Sequence, residues 1–147
     1  MNLEFTLVPY GHISYVIPSL MKYLDKSEYW TDGRAGVDDI VQFVMTGQMQ
    51  LWIVFNPDDN AIYGHVITEI KQYPQKKMFV VQYCAGESNY MQYVGDKIFD
   101  TLDRCSVDAG CTGIEFFGRR GWLPYAKKHG YKAKTVVYEK NFDEVKS

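Results

Sequence analysis

Apolar positions recur along this chain with two periods, and each change of period marks an element. Residues 3–8 read as a strand, stopped by Pro9 and Gly11. Ile17, Leu20, Met21 and Leu24 fall at i, i+3, i+4 and i+7, the stripe of an amphipathic helix. Pro18 is expected near the start of that helix, where a missing N–H does least harm. Residues 27–36 are polar and aromatic and read as a loop, with Asp32-Gly33 as its turn. Val37, Ile40, Val41 and Val44 repeat the helical stripe, and Asp38 and Asp39 stand in the first turn, where the helix dipole favours acids.

The period then becomes that of strands. Leu51-Trp52-Ile53-Val54-Phe55 is a continuous apolar run of strong β propensity. A turn at 56–60 leads to a strand at 62–70, and a second turn at 72–75 leads to a strand at 79–84, completing an antiparallel meander. A long helix is predicted over 90–109, because Val94, Ile98, Leu102, Cys105 and Ala109 share one face and Gly110 can end it. A short strand at 114–117, a short helix at 122–129 and a last strand at 135–142 follow. The expected order is β-α-α-β-β-β-α-β-α-β, an α/β chain with a mixed sheet.

Composition narrows the class. The chain has 147 residues, which suits a single domain over 1–147 with one core. Its net charge of −2 supplies no basic field to attract nucleic acid or an anionic membrane. No apolar run approaches a membrane span, and the N-terminus lacks the basic and apolar regions of a signal peptide. Cys84, Cys105 and Cys111 form neither a CxxC pair nor an even disulfide framework, so a reducing, cytoplasmic setting is expected. His12, His65 and His129 have no metal-ligand spacing with each other or with the cysteines, and no metal is expected. The 12 tyrosines, each with an apolar body and a polar tip, suit half-buried strand positions or the lining of a groove.

The segment Tyr125-Ala126-Lys127-Lys128-His129-Gly130-Tyr131 reads as a helix end, a glycine stop and the approach to a strand. This ending, together with the element order, resembles the GCN5-related N-acetyltransferase (GNAT) superfamily over nearly the whole chain. The resemblance implies a sheet that opens between its fourth and fifth strands, and acetyl-coenzyme A as co-substrate. It implies transfer of an acetyl group to an amine, on a small molecule or a protein.

It also implies site residues. The family runs its cofactor along the fourth strand, here Val81 and Tyr83. The pyrophosphate sits on a Gln/Arg-x-x-Gly-x-Gly/Ala motif at the following helix start, where free N–H groups and the dipole bind anions. That motif maps onto Tyr90-Met91-Gln92-Tyr93-Val94-Gly95. Gly95 matches, whereas Tyr90 and Tyr93 replace the Gln/Arg and the first glycine. Read as structure alone, Ser88 or Asn89 just upstream is a helix N-cap. The basic run Arg119, Arg120, Lys127, Lys128, Lys132 and Lys134 suits coenzyme A phosphates, with Arg119 and Lys127 as the chosen contacts, or else a solvated helix end.

The family's late helix carries a tyrosine that protonates the departing thiolate. Ala126 stands at that position, and Tyr125 lies one residue earlier, roughly 100° around the helix. Tyr125 is the candidate acid, against the plainer reading of a packed helix tyrosine. Glu87 is the candidate base, with Glu69, Glu115 and His65 as further candidates, each otherwise a solvent-facing strand or loop residue. Tyr29 and Trp30, in the expected loop at 27–36, stand where the family forms one wall of the acceptor site. The same residue types suit a protein contact. The alternative function is therefore a non-catalytic, phage-type GNAT-like module with a degenerate cofactor motif, self-associating as a homodimer through aromatic surface.

Overall fold

The protein, analysed as a computed structural model, is described over residues 1–118 and 120–142. Its contacts divide into two units, Met1–Phe117 and Gly118–Ser147. The first holds strand β1 (Glu4–Leu7), helices α1 (Ile13–Trp30) and α2 (Val37–Met45), strands β2 (Gln50–Phe55), β3 (Ile62–Gln72) and β4 (Lys77–Gly86), helix α3 (Met91–Asp108) and strand β5 (Gly113–Phe116). The sheet order is β1-β2-β3-β4-β5. The first four strands pair antiparallel, β1 to β2 across the two helices and β2 to β3 to β4 through short turns, whereas β5 runs parallel to β4. A parallel neighbour requires a crossover, and α3 supplies it.

Side-chain alternation divides the sheet between two apolar layers. On one face Leu51, Ile67 and Ala85 pack with Leu20, Tyr23 and Leu24 of α1 and Ile40 and Val44 of α2. On the other Trp52, Val54, Val66 and Phe79 pack with Leu3 and with Val94, Ile98 and Leu102 of α3. Trp52 has its indole stacked on Phe5 with ring centroids 5.1 Å apart, and its Nε1–H donates to Thr68 Oγ1 at 2.9 Å. Full burial of an indole is thereby reconciled with its polar N–H.

Two glycines set a close strand approach. Gly64 of β3 is paired with Gly86 of β4. A Cβ at Gly64 would lie 2.7 Å from the Ala85 carbonyl oxygen, and one at Gly86 would lie 2.8 Å from the Tyr90 ring. Gly110 ends α3 at φ +77, with its N–H on the Val107 carbonyl at 3.0 Å and that of Cys111 on the Ser106 carbonyl at 3.0 Å. These two bonds are those of a Schellman closure.

The second unit holds a 3-10 turn, Arg120–Trp122, and helix α4 (Leu123–Lys128). Gly130 closes α4 in the same way at φ +88: its N–H meets the Lys127 carbonyl at 3.1 Å and the Tyr131 N–H meets the Ala126 carbonyl at 3.0 Å.

Three expectations are corrected. Helix α1 starts at Ile13, so Pro18 lies inside it. Helix α1 also runs on to Trp30, so residues 27–30 are its last turn and not a loop. Ser27 continues the buried stripe of Leu20, Tyr23 and Leu24, but a hydroxyl hides that continuity from a hydrophobicity pattern. The strand expected at 135–142 does not form: no residue there is in a ladder, and Val136, Val137 and Tyr138 are exposed. β propensity is a local property, and a strand exists only where an edge accepts it. Among the described residues the sheet therefore has five strands, one fewer than expected.

Candidate functional site

The parallel ladder between β4 and β5 pairs Met78, Phe79, Val80 and Val81 with Gly113, Ile114, Glu115 and Phe116, and ends there. β4 continues to Gly86 and stays paired on its other side with β3 as far as Gly64↔Gly86. Residues 82–86 thus form a stretch of strand with no ladder on the β5 side among the described residues. A strand paired on one side is the arrangement that strand addition exploits, and here the Gly86 carbonyl is already held by Lys26 Nζ at 3.1 Å.

A bulge stands where this open stretch begins. Ile67 pairs with Tyr83 and Thr68 with Val81, which leaves Gln82 as the extra residue. A bulge redirects the side chain it inserts. Gln82 turns toward Glu69, and its Nε2 donates to Glu69 Oε1 at 3.0 Å. Gln48, just after α2, donates through Nε2 to Glu69 Oε2 at 3.2 Å. Both carboxylate oxygens are thus held by side-chain amides, and Lys71 Nζ lies 4.0 Å from Oε1. Next to the bulge, Tyr83 packs against the α1/α2 layer. Burial, with the charges of Glu69 and Asp39 behind it, holds its phenol above the usual tyrosine range. Glu115 pairs with Val80, as does Glu69 from the other side, so the two carboxylates share one row of the sheet. Tyr73 donates to Glu115 Oε1 at 2.6 Å, and this bond raises the Tyr73 pKa.

After Gly86 the chain turns into α3 through Asn89, whose φ of +63 is a left-handed conformation that asparagine tolerates. Asn89 is therefore the turn residue, and the residue capping α3 is Tyr90, with no side-chain cap bond. Glu87 is tied back onto α1: Lys22 Nζ donates to its Oε1 at 2.6 Å and the Tyr23 hydroxyl at 2.8 Å. The bond from Lys22, then that from Tyr23, holds the Glu87 carboxyl below the usual range. A carboxylate so held is a weak proton acceptor. Lys26 Nζ donates to the Gly86 carbonyl at 3.1 Å and anchors the same corner.

The other residues singled out from the sequence are distributed as follows. Tyr90 is buried with Leu3, Trp52 and Val94, its hydroxyl 3.5 Å from Cys84 Sγ. Tyr93 is 45% exposed, and its N–H is spent on the Tyr90 carbonyl at 3.0 Å. Gly95 is buried in α3 against Met91. Val81 packs against the α3 layer at the last rung of the parallel ladder. Tyr29 and Trp30 are exposed at the end of α1, edge to face with centroids 5.1 Å apart. In the second unit Tyr125 and Lys127 are exposed on α4, whereas Ala126 is buried. Arg119 lies outside the described residues.

His65, read from the sequence as a candidate base or else a solvent-facing strand residue, does not face solvent. His65 is fully buried in β3, and its Nε2 lies 2.9 Å from Ser27 Oγ of α1. Its Nδ1 has no hydrogen-bond partner. Burial drives its pKa down to about 4, so the ring is neutral at physiological pH. Only the i+3/i+4 position of Ser27 on the buried stripe of α1 hints at this pair in the sequence.

No cluster of three or more His, Cys, Asp or Glu that could hold a metal is found among the described residues. No helix there is long and apolar enough to cross a membrane.

No protein-family profile matches the sequence, and no curated protein matches it. Solved structures do match in fold. Glucosamine-6-phosphate N-acetyltransferase from Arabidopsis thaliana superposes with a TM-score of 0.70 at 13% identity, covering 97% of this chain and 100% of that one. A predicted acetyltransferase from Clostridium acetobutylicum, solved with acetyl-CoA, gives 0.68 at 13% identity over 97% of each chain. A GCN5-related N-acetyltransferase from Ralstonia eutropha JMP134 gives 0.68 at 11% identity, covering 95% of this chain and 99% of that one. The protein has the fold of the GCN5-related N-acetyltransferases.

Proposed function

We propose that the protein is an N-acetyltransferase that uses acetyl-coenzyme A and acetylates a primary amine on a small molecule or a protein. The observation that carries this reading is the open stretch of β4 at 82–86, beyond the last rung with β5. Bound there, acetyl-coenzyme A supplies an activated acetyl thioester. The chain's residues fit it unequally. The side of residues 82–86 without a β5 rung receives its extended, amide-bearing arm, with the Gly86 carbonyl already held by Lys26. The first turn of α3 offers the N–H groups of Met91 and Gln92 to its pyrophosphate, with the N–H of Tyr93 already used. Holding amine and thioester together accounts for most of the rate in such a reaction. The thiolate takes its proton from water.

A second reading, a non-catalytic module of this fold, draws on the same helix start. Tyr90 is committed to the core and Tyr93 occupies a glycine position of the family motif, so the phosphate cradle is reduced while the scaffold is whole. Fold alone does not fix function. Calorimetry with acetyl-coenzyme A separates the two. The transferase reading predicts saturable binding with a Kd in the micromolar range, and a rise in melting temperature with ligand concentration. No heat and no thermal shift at millimolar ligand would leave the module.

A further inference from the structure

We infer that Glu69 is the proton acceptor for the attacking amine, with Gln82 and Gln48 as its positioning residues. The inference rests on the acetyltransferase reading and adds to it the residue that starts the chemistry.

Glu69 has a place that the other carboxylates lack. It is tied directly to Gln82, the bulge residue that begins the open stretch of β4. Any ligand laid along 82–86 therefore has its strand-pairing end beside this carboxylate. Its side chain is 13% exposed, enough for contact with a substrate and too little for free rotation in solvent. The amides of Gln82 and Gln48 fix the two oxygens from opposite sides, and each oxygen keeps a lone pair for a further donor. Glu87, by contrast, has a lysine and a tyrosine on one oxygen and sits on the α1 side of the corner. Glu115 is engaged by the Tyr73 hydroxyl. Lys71 on its own strand lies 4.0 Å from Glu69 Oε1, and the Glu69 charge reaches Tyr83 of β4 and Tyr73, which are also reached by Asp39 and Glu115 respectively.

The step balances as follows. An ammonium substrate gives one proton to a Glu69 oxygen and becomes the free amine. Its nitrogen lone pair forms the N–C bond at the thioester carbonyl. The C–S bond breaks, and its electron pair leaves on sulfur. The second N–H proton neutralises that thiolate, and Glu69 returns the first to solvent. The products are the amide, coenzyme A thiol and one proton.

The test begins with calorimetry of acetyl-coenzyme A on the wild type and on Glu69→Gln, so that loss of the cofactor reading is seen separately. Thiol release is then followed with water alone and with spermidine as acceptor probes. In the free protein, the side-chain amide signals of Gln82 and Gln48 are followed by NMR as pH is varied. The inference expects Glu69→Gln to bind acetyl-coenzyme A within twofold of wild type and to release thiol at least 30-fold more slowly. Glu69→Asp should recover part of the rate. The acid limb of the wild-type rate profile should share its midpoint with the amide titration, and Glu69→Gln should abolish that titration. Thiol release within threefold of wild type in Glu69→Gln overturns the inference, as do mismatched midpoints or wild-type binding without thiol release. If Glu69→Gln does not fold, Glu69→Asp and the two midpoints decide alone. No binding by the wild type overturns the transferase reading, and the inference with it.

Discussion

The open stretch of β4 and the first turn of α3 are joined by four residues, yet they are built in opposite ways. In β4, residues 82–86 carry a ladder on one side only among the described residues, and the bulge at Gln82 turns a side chain toward Glu69. At α3, Tyr90 is drawn into the core, Gly86 fits under its ring, and the Tyr93 N–H closes on the Tyr90 carbonyl. One region is a strand with a ladder on one side and a carboxylate fixed by two amides, while the other spends most of its polar groups internally. A shared fold thus fixes the strand-edge half of the proposed binding site more firmly than its phosphate half. The strand edge follows from topology, whereas the cradle depends on individual residues.

This contrast can be broken by substitution, and the largest effect is expected at Tyr90. Tyr90→Ala removes a buried aromatic ring and should lower unfolding free energy by about 4 kcal/mol in a urea titration. If Tyr90 were chiefly a cofactor contact, stability would hold and only acetyl-coenzyme A affinity would fall.

Acid should act next, through His65. The folded-state pKa of about 4 lies below the ordinary histidine value of 6.5, so the unfolded chain binds the proton first. Stability from this group is complete above pH 6.5 and is lost as pH falls toward 4, by about 3 kcal/mol. Urea midpoints across this range, compared with those of His65→Leu, isolate the contribution. An equal acid slope in both proteins would contradict it.

On the β4 side, Gly64→Ala places a methyl 2.7 Å from the Ala85 carbonyl oxygen and 2.9 Å from the Gly86 Cα. Backbone must shift, at a cost of ~2 kcal/mol, and residues 82–86 should show faster amide exchange. Unchanged exchange there would mean that the strand does not depend on this close pair. The smallest effect is expected at Tyr93. Tyr93→Gly costs about 1 kcal/mol of helix stability. If the ring crowds a phosphate, acetyl-coenzyme A affinity should hold or rise. A loss of affinity with the fold intact would show the ring to be a contact.

Most elements were legible from hydrophobic period because both sheet faces and three helices bury continuous stripes. Legibility ended where the deciding interaction was nonlocal. The last turn of α1 is held by a polar pair, Ser27 with His65, which carries no hydrophobic signature. The bulge at Gln82 changes register without any residue that announces it. Residues 135–142 have the composition of a strand, but pairing depends on an edge that composition does not contain. The glycine stops at Gly110 and Gly130 could be read from sequence. The burial of Tyr90 could not, because an aromatic residue at a helix start suits a core and a groove equally.

Backbone amide NMR during acetyl-coenzyme A titration tests the central claim most directly, because it reports on the open strand and on α3 together. The account predicts saturable shifts and slowed exchange at residues 82–86, with smaller changes at Met91 and Gln92. Saturable binding that leaves 82–86 unmoved, or no binding at all, would contradict it.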